Sequence, residues 1–202
     1  MARRTKAEAA ATREALIDAA EEMFMEHGVS RSSLEQIARH AGMTRGAVYW
    51  HFKNKADLFH AMLDRVRMPF QDLVDQVDAP TADQCPLEAI RLACIKGLAR
   101  LEQPRHKRVH SILMYRCEFF SDIDPQAMQE EISHDTYAVL LKYFQLAHDR
   151  GQLNLPAEAA TDLLHATLSG LFYGWLRHTE RYSIEAKGTV MIENLLRLIR
   201  VA

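Results

Sequence analysis

The stretch "SSLEQIARHAGMTRGAVYWHFKNKADLF", residues 32–59, decides the fold. Its two serines stand ahead of Glu35 and Gln36, the pattern in which a serine hydroxyl and a side chain three residues on satisfy the first free amides of a helix. Leu34, Ile37, Ala38 and Ala41 then recur at helical spacing and stop at Gly42, which predicts a helix of about two turns. Gly42 and Met43 alone separate it from Thr44, an N-cap for a third short helix through Phe52. Asn54 caps a fourth, beginning "NKADLFHAML". Two short helices joined by a glycine turn make a helix-turn-helix.

Outward from this core, the same signals continue. Thr5 with Glu8 is a capping-box pattern, Leu16, Ile17, Ala20, Met23 and Phe24 form an apolar helical face, and His27-Gly28 is a stop. Downstream, Pro86, Pro125 and Pro156 fit helix first turns, Gly151 fits a C-cap, Pro104 is a break, and Ser183 caps a last helix to Arg200. The pattern predicts about nine helices and no strand. The fold class is all-α, with an N-terminal three-helix head, residues 1–54, and a larger helical bundle, residues 55–202. Pro69 interrupts the fourth helix and must either bend it or begin a new segment.

The chain has 202 residues, 48% hydrophobic and 26% charged, the balance of a folded globular protein. Its longest weakly polar stretch, Leu163 to Leu176, is too short to cross about 30 Å of hydrocarbon. Basic residues at the N-terminus have no apolar run behind them, so no secretory signal and no membrane are predicted, and the expected location is cytoplasmic. Cys85, Cys94 and Cys117 match no metal or redox spacing and read as reduced thiols. The net charge of -2 hides an asymmetry: residues 31–55 carry five basic residues (Arg31, Arg39, Arg45, Lys53, Lys55) against one acidic residue, Glu35. A small basic patch on an otherwise acidic chain points to a polyanion.

That patch suits double-stranded DNA. The second helix of a helix-turn-helix enters the major groove with its N-terminal residues nearest the bases. Here that helix carries Thr44, whose hydroxyl can bond phosphate, Arg45, which can reach a guanine edge or the backbone, and Gly46, which permits close approach. With Ala47, Val48 and Phe52 packed inward against Leu34, Ile37 and Ala38, Tyr49 and His51 face the groove rim and Trp50 supports them from the side. Lys53 and Lys55 begin the next helix as phosphate clamps, and Ser33 opens the preceding one. The competing reading makes Tyr49 and Trp50 core aromatics and the lysines a solvated face.

Residues 32–59 resemble the DNA-binding signature of the TetR family of bacterial transcriptional regulators, and "TREALIDAAEEMFMEHG" is similar to that family's first helix. "MARRTKAEA", "YWHFKNK" and "ILMYRCEFF" (residues 112–120) are similar to its AcrR-like branch of multidrug-efflux repressors. The resemblance implies a homodimer on a near-palindromic operator, released when a hydrophobic small-molecule inducer enters the helical body. It also implies DNA contacts at Thr44, Arg45, Gly46, Tyr49, His51 and Lys55.

In the body, Val66, Phe70, Leu92, Ile95, Leu113, Met114, Cys117, Tyr137, Leu141, Phe144, Leu168 and Phe172, with His110, His165 and Ser169 among them, suit a mainly apolar pocket with a few orienting polar groups. Plain core packing is the alternative for each. His106 and His110 are four apart, but Lys107 and Arg108 lie between them and no third ligand is evident, so no metal or other cofactor is expected. Ser169, Gly170 and Gly174, with the Ile192, Leu195, Leu196 and Ile199 face of the last helix, form a candidate dimer surface. Neither the cysteines nor the histidines form a nucleophile-base motif, so an enzyme is not expected. A DNA-binding structural or cell-division factor on the same scaffold, without an inducer, remains the rival to a ligand-responsive repressor.

Overall fold

A computed structural model describes residues 6–76, 85–119 and 123–201. Thr5, Phe120 and the leading "MARRT" lie outside these residues. Among the described residues ten helices follow in order: α1 (Lys6–His27), α2 (Leu34–His40), α3 (Arg45–His51), α4 (Lys55–Asp64), α5 (Phe70–Asp75), α6 (Pro86–Leu101), α7 (Pro104–Tyr115), α8 (Pro125–Asp149), α9 (Ala157–Arg177) and α10 (Ile184–Ile199). The number exceeds the expected nine because Pro69 begins α5, with φ -54° and ψ 130°, instead of bending α4, which has already ended at Asp64. The chain divides into two compact units, residues 1–67 with 108–127 and residues 68–107 with 128–202.

The first unit is built on α1. Its inner face, Leu16, Ile17, Ala20 and Phe24, is fully buried and packs on α2, α3 and α4. The compact unit runs past residue 54 because α4 adds Leu58, Phe59 and Met62 to the same core, the Phe24 and Phe59 rings lying 6.0 Å apart. Each such large side chain contributes about 1.5–3 kcal/mol on burial. The α1 stop is at Gly28, whose N–H donates to the Phe24 carbonyl at 2.9 Å, and Ser32 Oγ donates to the Gly28 carbonyl at 2.8 Å. Arg65, just past α4, reaches back to α1: it donates to the Glu14 side chain and backbone, to Asp18 at 2.7 Å and to Glu21 at 3.0 Å.

In the second unit, α6 packs on α5 and α10, and α10 on α9. Gly188 lets α10 approach α6: a Cβ there would overlap the buried Leu98 side chain. The core takes Ile90, Ala93 and Leu98 from α6, Phe144 from α8, Leu164, Leu171 and Trp175 from α9, and Ile184, Ile192, Leu196 and Ile199 from α10. Three residues of the expected dimer surface are corrected by this: Ile192, Leu196 and Ile199 are buried within their own unit, whereas Gly170 and Gly174 are exposed and Ser169 and Leu195 half-buried. The large apolar residues that α9 and α10 leave exposed are Leu163, Tyr173, Val190, Met191 and Leu198. A periodic apolar stripe announces burial but cannot say against what. An isolated antiparallel bridge, Leu153 with Arg200, ties the α8–α9 turn to the end of α10.

Candidate nucleic-acid interface

The interface begins with the two caps that aim α2 and α3. Ser33 is the N-cap of α2: its Oγ accepts from the Gln36 N–H at 3.2 Å while Gln36 Oε1 accepts from the Ser33 N–H at 2.8 Å, a reciprocal capping box. Ser32, the other serine of the pair, is buried on Gly28. The α2 helix closes with Gly42 at φ +67°, its N–H on the Arg39 carbonyl and the Met43 N–H on the Ala38 carbonyl. This double bond pattern needs a left-handed residue at position 42, which glycine adopts without the Cβ penalty. The turn thereby sets the angle between α2 and α3.

Thr44 then caps α3, its Oγ accepting from the Ala47 N–H at 3.3 Å. Val48 and the capping Phe52 are buried, so the opposite face must look outward. It carries Arg45, Gly46, Tyr49 and Trp50, all exposed, with Trp50 at 72% and the Arg45 side chain at 74%. Tyr49 and Trp50 are thus surface groups and not core aromatics. The Trp50 indole meets the half-buried His51 ring edge to face at 4.5 Å.

Arg45 and Tyr49, one helical turn apart, meet the same carboxylate on α2, Tyr49 by a hydrogen bond and Arg45 by an ion pair. The Tyr49 hydroxyl donates to Glu35 Oε1 at 2.7 Å, Arg45 Nε lies 3.3 Å from the same oxygen, and the guanidinium carbon is 5.4 Å from the Tyr49 ring centre. The hydroxyl bond, aided by the Arg45 charge, holds the Glu35 carboxyl below the usual glutamate value. The same bond raises the Tyr49 phenol above the usual tyrosine one, against the Arg45 charge, which favours the phenolate. Glu35 was visible in the sequence only as the single acid of a basic stretch; its partners lie 10 and 14 residues on.

The two lysines separate. Lys53 is exposed, its backbone N–H donating to Asp57 Oδ2 at 3.0 Å. Lys55 is half-buried, and its ammonium donates to the carbonyls of Val29 (2.7 Å), Ser30 (3.1 Å) and Ser32 (3.0 Å), while burial holds its pKa below the usual lysine value. Lys55 therefore pins the start of α4 to the α1–α2 turn, and the ammonium expected on phosphate is directed inward. The lysine is close to the patch in sequence, but its carbonyl partners are more than twenty residues away.

Two family models match the chain. The bacterial regulatory proteins, tetR family, model covers residues 16–62, and the MAATS-type transcriptional repressor C-terminal region covers residues 85–201. The chain belongs to the TetR family. Among its TetR-family relatives, the transcriptional repressor BepR of Brucella suis is 34% identical over 98% of this chain and 96% of its own. The structure of NalD, secondary repressor of the MexAB-OprM multidrug efflux pump in Pseudomonas aeruginosa, superimposes with a TM-score of 0.81 at 36% identity, covering 96% of this chain and 98% of NalD. The complex of triclosan with SmeT, a repressor from Stenotrophomonas maltophilia, matches with 0.79 at 32% identity over 95% of this chain and 92% of its own. The chain is accordingly a TetR-type, DNA-binding transcriptional repressor and not an enzyme.

The residues expected to line a TetR-type ligand pocket fall in both units. Val66, His110, Leu113, Met114 and Cys117 belong to the first. Phe70, Leu92, Ile95, Tyr137, Leu141, Phe144, His165, Leu168, Ser169 and Phe172 belong to the second. Val66, Phe70, Leu113 and Phe144 are buried and the others half-buried. Two of the polar members join α8 to α9: the Tyr137 hydroxyl donates to Asp162 at 2.9 Å, and His165 Nε2 lies 3.0 Å from Ser133 Oγ. Burial pushes the Cys117 thiol up to about 11 and the Cys94 thiol up to about 12, the behaviour of structural thiols. Among the described residues no group of three His, Cys, Asp or Glu could hold a metal, and no helix is long and apolar enough to cross a membrane.

Proposed function

We propose that this TetR-family repressor binds, as a homodimer, a near-palindromic double-stranded operator of a multidrug-efflux operon and releases it when a hydrophobic small molecule enters its body. One observation carries the reading: α3 is capped by Thr44, anchored by Val48 and Phe52, and turns Arg45, Gly46, Tyr49 and Trp50 outward on one solvent-facing surface. The α3 N-terminus and the Thr44 hydroxyl suit phosphate, and Arg45 suits a guanine edge or the backbone. Ser33, His51 and Lys53 flank this surface, and Lys55 supports it by fixing α4.

Residues 1–54 do the reading and residues 55–202 the ligand sensing and pairing, with α4 the element of the second part that braces the head. The exposed apolar residues Leu163, Tyr173, Val190, Met191 and Leu198 of α9 and α10 suit a second copy, and a two-fold dimer matches half-sites about 34–36 Å apart, or a multiple of that. NalD's role at an efflux pump and the triclosan bound to SmeT support the operon class and the ligand class. A cytoplasmic location follows from that role. The test is to sequence the fragments of host DNA retained by the protein at near-physiological salt, then to add triclosan and other hydrophobic drugs, with Arg45→Ala as control. A palindrome beside an efflux operon, released by a drug, supports the reading; dispersed fragments indifferent to every drug would favour a structural DNA-binding factor.

A further inference from the structure

The one acid within the basic stretch stands on the reading surface itself. Every other charge of residues 31–55 is positive, yet Glu35 projects from the first turn of α2 beside the α3 face, where its carboxylate repels phosphate. It is neither buried nor part of the capping box, which uses Ser33 and Gln36. Its carboxylate also accepts from its own backbone N–H and from Ser33 in the first turn of α2, where an acid is favoured, but that local role needs no partner on α3. What its Oε1 does is accept the Tyr49 hydroxyl and form an ion pair with Arg45, whose guanidinium lies over the Tyr49 ring.

We propose that Glu35 is a specificity-determining residue of the DNA interface: its carboxylate holds Arg45 and Tyr49 as a preset pair and withholds Arg45 from casual phosphate contact. The proposal rests on α3 being the DNA-reading helix. On non-specific DNA, Arg45 must leave Glu35 for a phosphate, and the unpaired carboxylate is then left facing the backbone charge. On the operator, a base edge in the groove satisfies the guanidinium in a fork geometry while Tyr49 stays placed by Glu35, so the ordered side chains lose less freedom on binding. The anion thus weakens both modes but weakens the unspecific one more. Specificity is a difference of affinities, and a built-in repulsion against the wrong target raises it.

The test uses full-length protein and a duplex enriched by the wild type from a random-sequence pool, with a scrambled copy of that duplex as the non-specific probe. Binding of wild type, Glu35→Gln, Arg45→Ala and the double variant is followed by fluorescence anisotropy across a salt series. Glutamine keeps the shape and an acceptor for Tyr49 while removing the charge. Glu35→Gln should bind the scrambled duplex about two- to fivefold more tightly, the range expected of one exposed ion pair. Its log-log salt slope on that duplex should steepen by about 0.9, one further phosphate contact. Its ratio of specific to non-specific affinity should fall, and in the Arg45→Ala background the same substitution should leave ratio and slope unchanged. A ratio and slope equal to wild type, or equal changes with and without Arg45, would overturn the proposal. Failure of the wild type to enrich any duplex would overturn the reading of α3 and this proposal with it, and is told apart because it needs no variant.

Discussion

Arg65→Ala should destabilise the head through a charge it strands rather than through the contacts it makes. Arg65 is 11% exposed and Glu21 1% exposed, and Nη1 of the arginine donates to the Glu21 carboxylate at 3.0 Å. Removing one partner of such a pair costs about 3–5 kcal/mol, because the other charge stays buried. Glu14 and Asp18, the other acceptors, are about half exposed and recover water, so their loss adds little. Arg108, 3.7 Å from Glu21 and partly solvated, remains to compensate. The expected loss is therefore at the low end, about 3 kcal/mol. For a chain of this size that corresponds to a melting temperature about 6–12 °C lower. Urea unfolding followed by circular dichroism, with hydrogen exchange across α1, measures it. Adding Glu21→Gln to Arg65→Ala removes the stranded charge and should recover part of the loss, whereas Glu14→Gln alone should cost little. A loss below about 1 kcal/mol for Arg65→Ala, or a double variant no more stable than the single, would refute the argument.

Three further outcomes are expected. Lys55→Gln should lower stability by about 1.5–3 kcal/mol, since three carbonyls lose a charged donor, and should leave the salt slope of DNA binding unchanged; a slope shallower by about 0.9 would instead identify Lys55 as a phosphate contact. Tyr49→Phe removes the main cause of the lowered Glu35 pKa. That pairing favours the folded protein above the ordinary glutamate value and fades as pH falls through the lowered one, so carboxyl NMR should find the Glu35 midpoint higher in Tyr49→Phe than in the wild type. Gly188→Ala should cost about 1–3 kcal/mol by forcing Leu98 out of its buried position between α6 and α10, and a melting curve equal to wild type would show that α6 and α10 can part at no cost.

Much of the head was legible because its signals are local. The serine–glutamine box at Ser33, the glycine at position 42 and the caps at Thr44 and Asn54 act over three or four residues, within the reach of a single turn of chain. Burial of Val48 and Phe52 with exposure of Arg45 and Tyr49 follows from the helical period. The body was less legible. Its last helix reads as an apolar stripe at Ile192, Leu196 and Ile199, and the same stripe would serve a dimer or a core.

The amino-acid sequence alone thus determined the helical class, the helix-turn-helix and the residues that α3 presents, because capping, glycine turns and periodicity are properties of neighbours along the chain. The tertiary structure decided which distant partner each charged or apolar group meets: Lys55 on the carbonyls of the α1–α2 turn, Arg65 on Glu21, Arg45 and Tyr49 on one Glu35 oxygen, and the α10 face inside its own unit. Those pairings join residues ten or more positions apart, and such a choice among partners is made only when the chain has closed on itself, where burial removes the water that would otherwise satisfy every alternative.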